Sequence, residues 1–388
     1  MSVRFCTINS SSMIQPGYLR TFALSVAIMF AAYLAFTSIV DPYGVSPLRL
    51  TLPGLNAVKP KRLAIDRLIK PYEVWRYQPR TVFLGTSRFH QSIDPAVLDG
   101  TRFSPAYNAS LPATSLWETE ALLEEFFEYD KNLRAVFVEL FLYHFLGDER
   151  PRARRTLLQF LPQTTPLFLS GSALYHSLQT VFFNVSGRPS AQVAAGGYWV
   201  PPANHKRRLD ERHTIGFYVG VHNGFLKTMT LEPKAFAVLD RIVALCRRNH
   251  AELVLVIPPT HPWDEYRLWS FGQWPILEEW TRRLSVYPNV ISFSQYNEVV
   301  AERPADNMKY WNDALHLSTN LGRLMLRSFL GTSDAGIPSN LLRELTPATV
   351  EAILRERRAD MARWVAENPA YPAAFDQAKA EWRQDRSR

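Results

Sequence analysis

The segment 21–40, TFALSVAIMFAAYLAFTSIV, constrains this chain more than any other feature, because it contains no charged residue. A helix of that length rises about 30 Å, the thickness of the hydrocarbon core of a bilayer. Asp41, Pro42 and Gly44 end the segment. A buried core helix and a cleaved signal peptide are the alternatives, although the run is long for a signal peptide and no clear cleavage site follows. The pattern favours a single uncleaved membrane anchor.

The positive charges around this segment predict its orientation. Arg4 and Arg20 precede it, and no acidic residue occurs among residues 1–20. The first positive charge after it is Arg49. Because positive charge favours the cytoplasmic side, residues 1–20 are predicted to lie in the cytoplasm and the rest of the chain outside it.

The composition excludes several classes of protein. Lys+Arg 44 against Asp+Glu 36 gives a net charge of +8, a mild bias over 388 residues that does not indicate nucleic-acid binding. Two cysteines, Cys6 and Cys246, exclude a disulfide scaffold and a Cys-rich zinc module. The sequence contains no metal-ligand spacing, phosphate loop or dinucleotide fingerprint, so no metal or cofactor is predicted.

Apolar runs alternate with amphipathic stretches between residues 75 and 331. The runs predict strands at 81–85, 105–110, 135–143, 252–259 and 289–293. The amphipathic spacing predicts helices at 115–129, 171–182, 231–249, 272–284 and 318–329. This alternation predicts an α/β domain with a mostly parallel sheet and helices on both faces.

The remaining segments complete a five-part organisation. A Pro-rich basic stretch predicts a linker at 41–74, between the anchor at 21–40 and the α/β domain at 75–331. Within that domain, the irregular stretch 150–230 predicts an insertion or lid-like loop. The residues at 332–388 predict a tail of two or three charged helices.

Gly85-Thr86-Ser87-Arg88 follows the first predicted strand and precedes a short helix. Open α/β sheets bind ligands at the carboxyl edge where such a serine would lie. The position suits a nucleophile beside an oxyanion hole. The alternative is a serine that only caps the helix.

A second candidate, Asp313-Ala314-Leu315-His316, follows the last parallel strand and precedes a helix. A carboxylate three residues before a histidine can orient its ring, and the histidine can then act as a base on a serine. Asp210 and His213 have the same spacing, but they lie in the irregular stretch with no strand before them. Position therefore favours the pair Asp313 and His316.

Together these motifs resemble the SGNH (GDSL-type) hydrolase superfamily, in particular its membrane-anchored branch in bacterial envelopes. That branch includes alginate-type O-acetyltransferases and the D-alanyl-transfer protein of teichoic acid pathways. The similar segments are FLGTSRFHQSIDP, AYNASLPATS, VFVELFLYHF, LVLVIPP and DALHLSTNLG, within residues 75–331. The resemblance implies a flavodoxin-like three-layer α/β/α fold and an inner-membrane protein whose bulk is periplasmic.

The resemblance also implies roles for individual residues. Ser87 would be the nucleophile, His316 the base and Asp313 its orienting partner. The backbone N–H groups of Ser87 and Ala113 would be oxyanion donors. The family's Gly-x-Asn-Asp block is missing, since the strand here ends in Glu139-Leu140-Phe141. Asn108 is the candidate to replace the oxyanion donor of that block. The alternative is that Asn108 makes only a structural hydrogen bond at the end of its strand.

Three further residues are predicted to contact substrate: Arg88, Tyr198 and Trp199. The two aromatic residues would stack on a sugar ring. The alternative is that these two aromatic side chains only cover the core. The implied function is an esterase or O-acyltransferase that acts on acyl esters of an envelope or exported polysaccharide. A membrane protein that donates the acyl group is an expected partner. The alternative is a non-catalytic binding or assembly protein with the same fold.

Overall fold

The computed structural model describes residues 16–48, 50–146, 165–207, 210–221, 230–332 and 336–385. The chain divides into two compact units. One unit contains residues 1–61 and 161–188, and the other contains 62–160 and 189–388. Arg4 and Arg49, on which the predicted orientation depends, lie outside the described residues.

Helix α1 (Pro16–Val40) contains the predicted anchor and lies in the first unit. Among the described residues it is the one helix long and apolar enough to cross a membrane, and only 11% of its most apolar stretch is buried. Asp41 follows it in a left-handed conformation and accepts hydrogen bonds from the N–H groups of Val45 and Ser46. The chain therefore turns sharply where the apolar helix ends.

The second unit contains the predicted mostly parallel sheet. Five parallel strands lie in the order β2-β1-β3-β6-β7, and β8 is antiparallel to β7 at the edge. Their bounds are β1 Thr81–Leu84, β2 Ala106–Asn108, β3 Ala135–Glu139, β6 Glu252–Ile257, β7 Val290–Ser292 and β8 Arg343–Glu344. The strand order reverses direction between β1 and β3, and the carboxyl ends of the strands at such a point are where open α/β sheets bind ligands.

Every residue of β1 and of β3 is buried, which indicates that both faces of this sheet are covered by helices. The remaining helices are α2 Asp66–Tyr77, α3 Ser87–Ser92, α4 Leu116–Tyr129, α5 Gly171–Val185, α6 Glu211–Val221, α7 Pro233–Arg248, α8 Pro262–Ser270, α9 Trp274–Leu284, α10 Thr319–Phe329, α11 Val350–Glu367 and α12 Ala370–Asp385. On one face, Phe329 of α10 packs against Phe137 of β3, which also contacts Phe83 of β1.

The structure differs from the sequence expectations in three segments. The predicted linker 41–74 contains the first nine of the twelve residues of α2, and most of these nine are buried. The predicted tail 332–388 contributes β8 to the sheet, and Tyr371 of α12 stacks on Trp263. In the irregular stretch, β4 (Gln192–Val193) and β5 (Trp199–Val200) form a two-stranded hairpin.

Candidate active site

Ser87 is the first residue of α3, directly after the turn that follows β1. Thr86 caps this helix, since its side chain accepts a hydrogen bond from the N–H of Arg88. The buried carboxylate of Glu139, at the end of β3, accepts hydrogen bonds from the N–H and hydroxyl of Thr86 at 2.6 and 2.9 Å. A Cβ atom at Gly85 would lie 2.5 Å from Glu139 Oε2, so only glycine fits here without displacement. Glu139 therefore fixes the turn that presents Ser87.

The three residues of the predicted triad meet at this turn. The Oγ of Ser87 lies 2.9 Å from Nε2 of His316, although 229 residues separate them in sequence. The other ring nitrogen of His316 lies 2.8 and 3.0 Å from the two carboxylate oxygens of Asp313. This network assigns the ring proton to Nδ1 and leaves Nε2 to accept the serine proton.

Asp313 is held as an ionised carboxylate. Partial burial opposes ionisation, but hydrogen bonds from the His316 ring and from the N–H groups of Leu315 and His316 outweigh it and lower the pKa of Asp313. The side chain of His316 is 21% exposed and that of Asp313 is 53% exposed. The site is therefore accessible from solvent.

Contacts between α3 and the segment around α10 position His316 relative to Ser87. Asn312 donates to the side chain of Gln91 at 3.0 Å, and Thr319 donates to the Gln91 carbonyl at 3.3 Å. Gly322 lies so close to the Ser92 carbonyl that a Cβ atom would collide with it. These contacts flank His316 in sequence on both sides, so they hold the chain that carries His316 against the last turn of α3.

The loop after β2 places Ala113 in a strained conformation. Ala113 has a φ of 51°, in the left-handed region that non-glycine residues rarely adopt. The N–H of Leu111 donates to the Gly85 carbonyl at 2.9 Å, which joins this loop to the Ser87 turn. Arg67 of α2 donates to the Pro112 carbonyl at 2.6 Å. In a planar trans peptide the N–H points opposite to the C=O, so Arg67 fixes the direction of the Ala113 N–H.

A buried lysine supports the same loop from beneath. Lys70 of α2 is 1% exposed and donates to the carbonyls of Asn108 and Ser110 at 3.0 and 2.5 Å. Burial lowers the pKa of Lys70 to about 8, although the charges of Asp66 and Glu73 oppose this shift. Arg67 and Lys70 were not predicted as site residues, because nothing in the sequence of a helix in the presumed linker indicates which loop it contacts.

The prediction that Asn108 supplies an oxyanion donor is wrong. Both hydrogens of its side-chain amide are used, by the carbonyls of Phe89 and Ile93 at 2.8 Å each. Its side-chain oxygen accepts from the N–H of Ser110, and the residue is fully buried. Asn108 therefore makes structural hydrogen bonds at the end of β2, as in the alternative interpretation.

The prediction that Arg88 contacts substrate is also wrong. Its side chain is turned into the core and the residue is 1% exposed. The guanidinium donates to the Pro259 carbonyl, lies 4.7 Å from the ring centroid of Phe141 and pairs with Glu139 at 4.0 Å. Arg88 compensates the buried carboxylate that fixes the Ser87 turn.

The two predicted aromatic contacts lie on the hairpin β4–β5, and β5 packs against α3. The hydroxyl of Tyr198 interacts with Arg323, which pairs with Asp94. Asp94 follows the C-terminal end of α3, whereas Ser87 is at the N-terminal end. The ring of Trp199 is partly exposed and stands edge-on to His205 at 5.5 Å. Partial burial and Arg207 lower the pKa of His205, and the charge of Asp313 opposes this shift. Of the two aromatic residues, Trp199 therefore contacts a histidine whose pKa is affected by the charge of Asp313.

The competing Asp-x-x-His pair has a local structural role. The side chain of Asp210 accepts from the N–H of His213 at 2.9 Å, as a cap at the start of α6. In the described part of the chain, no group of three or more His, Cys, Asp or Glu side chains is placed to hold a metal ion.

No protein-family model matches the chain, and no curated protein is significantly similar to it. The chain is characterised by its site, a serine, a histidine and a carboxylate arranged at the carboxyl edge of a parallel α/β sheet.

Proposed function

We propose that this chain is a membrane-anchored serine esterase or O-acyltransferase of the SGNH type. The observation that carries the proposal is the continuous hydrogen-bonded array Ser87–His316–Asp313 at the carboxyl ends of the strands. A serine that only capped its helix would need neither the histidine nor the carboxylate. The cap of α3 is in fact Thr86.

The array supports a two-step reaction. His316 removes the proton of Ser87 while Oγ attacks the ester carbonyl, and Asp313 stabilises the imidazolium that forms. The tetrahedral intermediate collapses when His316 gives that proton to the leaving alcohol, which leaves an acyl-serine. A water or a sugar hydroxyl then gives its proton to His316 and attacks the acyl carbon, and His316 returns the proton to Oγ of Ser87 as the acyl–oxygen bond breaks.

Two backbone groups are proposed to stabilise the oxyanion. The N–H of Ser87 lies at the first helical position, where no preceding turn offers an acceptor. The N–H of Ala113 is oriented by Arg67 through the neighbouring carbonyl. With Asn108 engaged elsewhere, these donors would act without a side-chain amide. Each such donor is worth about 10²–10³ in rate where it has been removed.

The fold is consistent with the proposed superfamily. The parallel strands follow the order 2-1-3-4-5 when renumbered within the parallel set, which is the flavodoxin-like order. Ser87 follows β1, which is one of the two strands at the switch point. The helices on both faces fit a three-layer α/β/α domain.

We further propose that α1 anchors the protein in a bacterial inner membrane, with the α/β domain in the periplasm. The acyl acceptor or ester substrate would then be an envelope or exported polysaccharide, with Trp199 as a stacking residue. A membrane protein that supplies the acyl group is the partner this arrangement would need for transfer. Water at the acyl-serine would give hydrolysis instead.

A non-catalytic binding or assembly protein is the second candidate. It is favoured by one observation: the side-chain amide of Asn108, the candidate substitute donor, is fully used by hydrogen bonds within the core. The two candidates differ in what they require of Ser87. Only the enzyme forms a covalent acyl-serine.

The test uses the full chain in detergent micelles with p-nitrophenyl acetate. We expect release of p-nitrophenol, and an acetylated chain in the intact mass of acid-quenched protein. Ser87→Ala should abolish both signals, and Ser172→Ala, a change at an exposed serine, should leave them unchanged. Acetyl-ester turnover that persists in Ser87→Ala would refute Ser87 as the nucleophile, and folded wild-type protein without turnover would support the binding candidate.

A further inference from the structure

Helix α5 carries an exposed apolar face in the same unit as α1. Five of its side chains are exposed and lie within about 100° of arc at 3.6 residues per turn. They are Leu174, Tyr175, Leu178, Phe182 and Val185. The opposite side of the helix is buried through the small residues Ala173, Ser177 and Thr180. A helix that faced water would expose polar side chains instead.

The sequence around α5 also lacks charge. From residue 156 to residue 187 the chain contains no Asp, Glu, Lys or Arg. Exposed helices in water ordinarily carry charged residues, and contiguous apolar patches on proteins mark interaction sites. The face of α5 therefore needs a covering of apolar chemistry.

Contacts within the unit place the start of α5 beside the C-terminal part of α1. The hydroxyl of Tyr33 in α1 donates to the Phe168 and Ser170 carbonyls at 2.9 Å, directly before α5. The hydroxyl of Tyr43 lies 2.6 Å from Nδ1 of His176. Helices α1 and α5 also pack against each other. Whatever solvent surrounds the end of α1 therefore also meets the start of α5.

The length and the ends of α5 limit how it could meet a bilayer. Its fifteen residues rise about 22 Å, less than the roughly 30 Å of a hydrocarbon core. Beyond its end, the guanidinium of Arg188 lies 4.8 Å from the ring centroid of Phe182. An arginine over an aromatic ring at the border of an apolar face suits the headgroup region, where aromatic rings and positive charges collect.

We infer that α5 is an interfacial membrane helix, which lies beside α1 with its apolar face against the acyl chains of membrane phospholipids. The inference rests on the anchoring role proposed for α1. It is independent of the chemistry at Ser87. The unit would then hold the membrane through two elements, one spanning and one lying in the interface.

The test measures the surroundings of single spin labels on the full chain in proteoliposomes of phosphatidylcholine and phosphatidylglycerol. Labels are attached in a Cys6→Ser background, in which the remaining Cys246 is buried. The test positions are Leu178→Cys and Phe182→Cys, which are 55% and 52% exposed. The reference for the anchor is Leu24→Cys, 62% exposed, and the water control is Val286→Cys, 72% exposed.

Collision rates with oxygen and with a water-soluble nickel chelate distinguish the outcomes. We expect the ratio of oxygen to nickel collisions at 178 and 182 to exceed that at 286 several-fold and to approach that at 24. A water-like ratio at 178 and 182 with a lipid-like ratio at 24 would overturn the inference and keep the anchor. A water-like ratio at 24 would refute the anchor as well. Exclusion of both reagents at 178 and 182 would indicate a protein partner and would also overturn the inference.

Discussion

Replacing Gly85 by alanine should disable the site without touching any residue of the triad. A Cβ atom there would lie 2.5 Å from Oε2 and 2.7 Å from Cβ of Glu139. Ordinary contacts begin near 3.4 Å, so the turn and Glu139 must separate by about 0.7–0.9 Å. Glu139 is fully buried and holds Thr86 by two hydrogen bonds, so the displacement is passed to Ser87.

A shift near 1 Å at a reacting group costs about 10²-fold in rate, and we expect that loss for Gly85→Ala. Overpacking of this kind also costs about 1–3 kcal/mol of stability. The assay is the second-order rate of labelling by a fluorophosphonate, with thermal unfolding of each variant measured beside it.

The matched control for this substitution is Gly216→Ala, in the exposed interior of α6. A Cβ atom there meets nothing within 4 Å. We expect an unchanged labelling rate and a stability equal to or slightly above that of the wild type, because alanine favours a helix by about 0.5–1 kcal/mol over glycine. A folded Gly85→Ala protein that labels within a few-fold of the wild type would refute the argument that Glu139 fixes the nucleophile turn.

Three more outcomes follow from the geometry. Arg67→Ala should lower the labelling rate about 10-fold or more by releasing the Ala113 peptide, whereas Arg241→Ala, which removes an exposed ion pair elsewhere, should not. Asp313→Asn should lower the rate by about 10²–10⁴-fold at an unchanged melting temperature, as the loss of an orienting carboxylate does in other triads. Burial raises the pKa of Asp130 to about 6 from 3.8, so the native state binds a proton more tightly there and stability falls as pH rises between these values. Asp130→Asn should therefore be more stable than the wild type at pH 7.5 by about 1–2 kcal/mol, which thermal unfolding would show as a higher melting temperature. The difference should vanish near pH 4.

The parts of the fold that follow from local pattern could be predicted from the sequence. Each parallel strand is a short, almost wholly apolar run, and burial on both faces is what produces such runs. The mostly parallel α/β sheet was predicted on this basis and is confirmed. Helix α8 was missed because its nine residues, PWDEYRLWS, show no clear apolar periodicity. They are buried by α12 and other elements distant in sequence.

The approach of Ser87 to His316 could also be anticipated, because Ser87 follows β1 and His316 lies in the segment between β7 and α10, and both β1 and β7 are parallel strands of the same sheet. What the sequence does not contain is the direction of a side chain. Arg88 follows the candidate nucleophile and Asn108 ends a neighbouring strand, yet both are turned inward and bonded within the core. Conversely, Arg67 acts on the site from a helix some forty-five positions away from Pro112.

The most direct test of the central claim is covalent labelling of the full chain by a fluorophosphonate probe, with Ser87→Ala and His316→Ala in parallel. A fluorophosphonate reacts with a serine only when a neighbouring base activates it. We expect one label per wild-type chain, located on Ser87 by peptide mass, and no label in either variant. A folded wild-type chain that does not label, or a label that persists in Ser87→Ala, would contradict it.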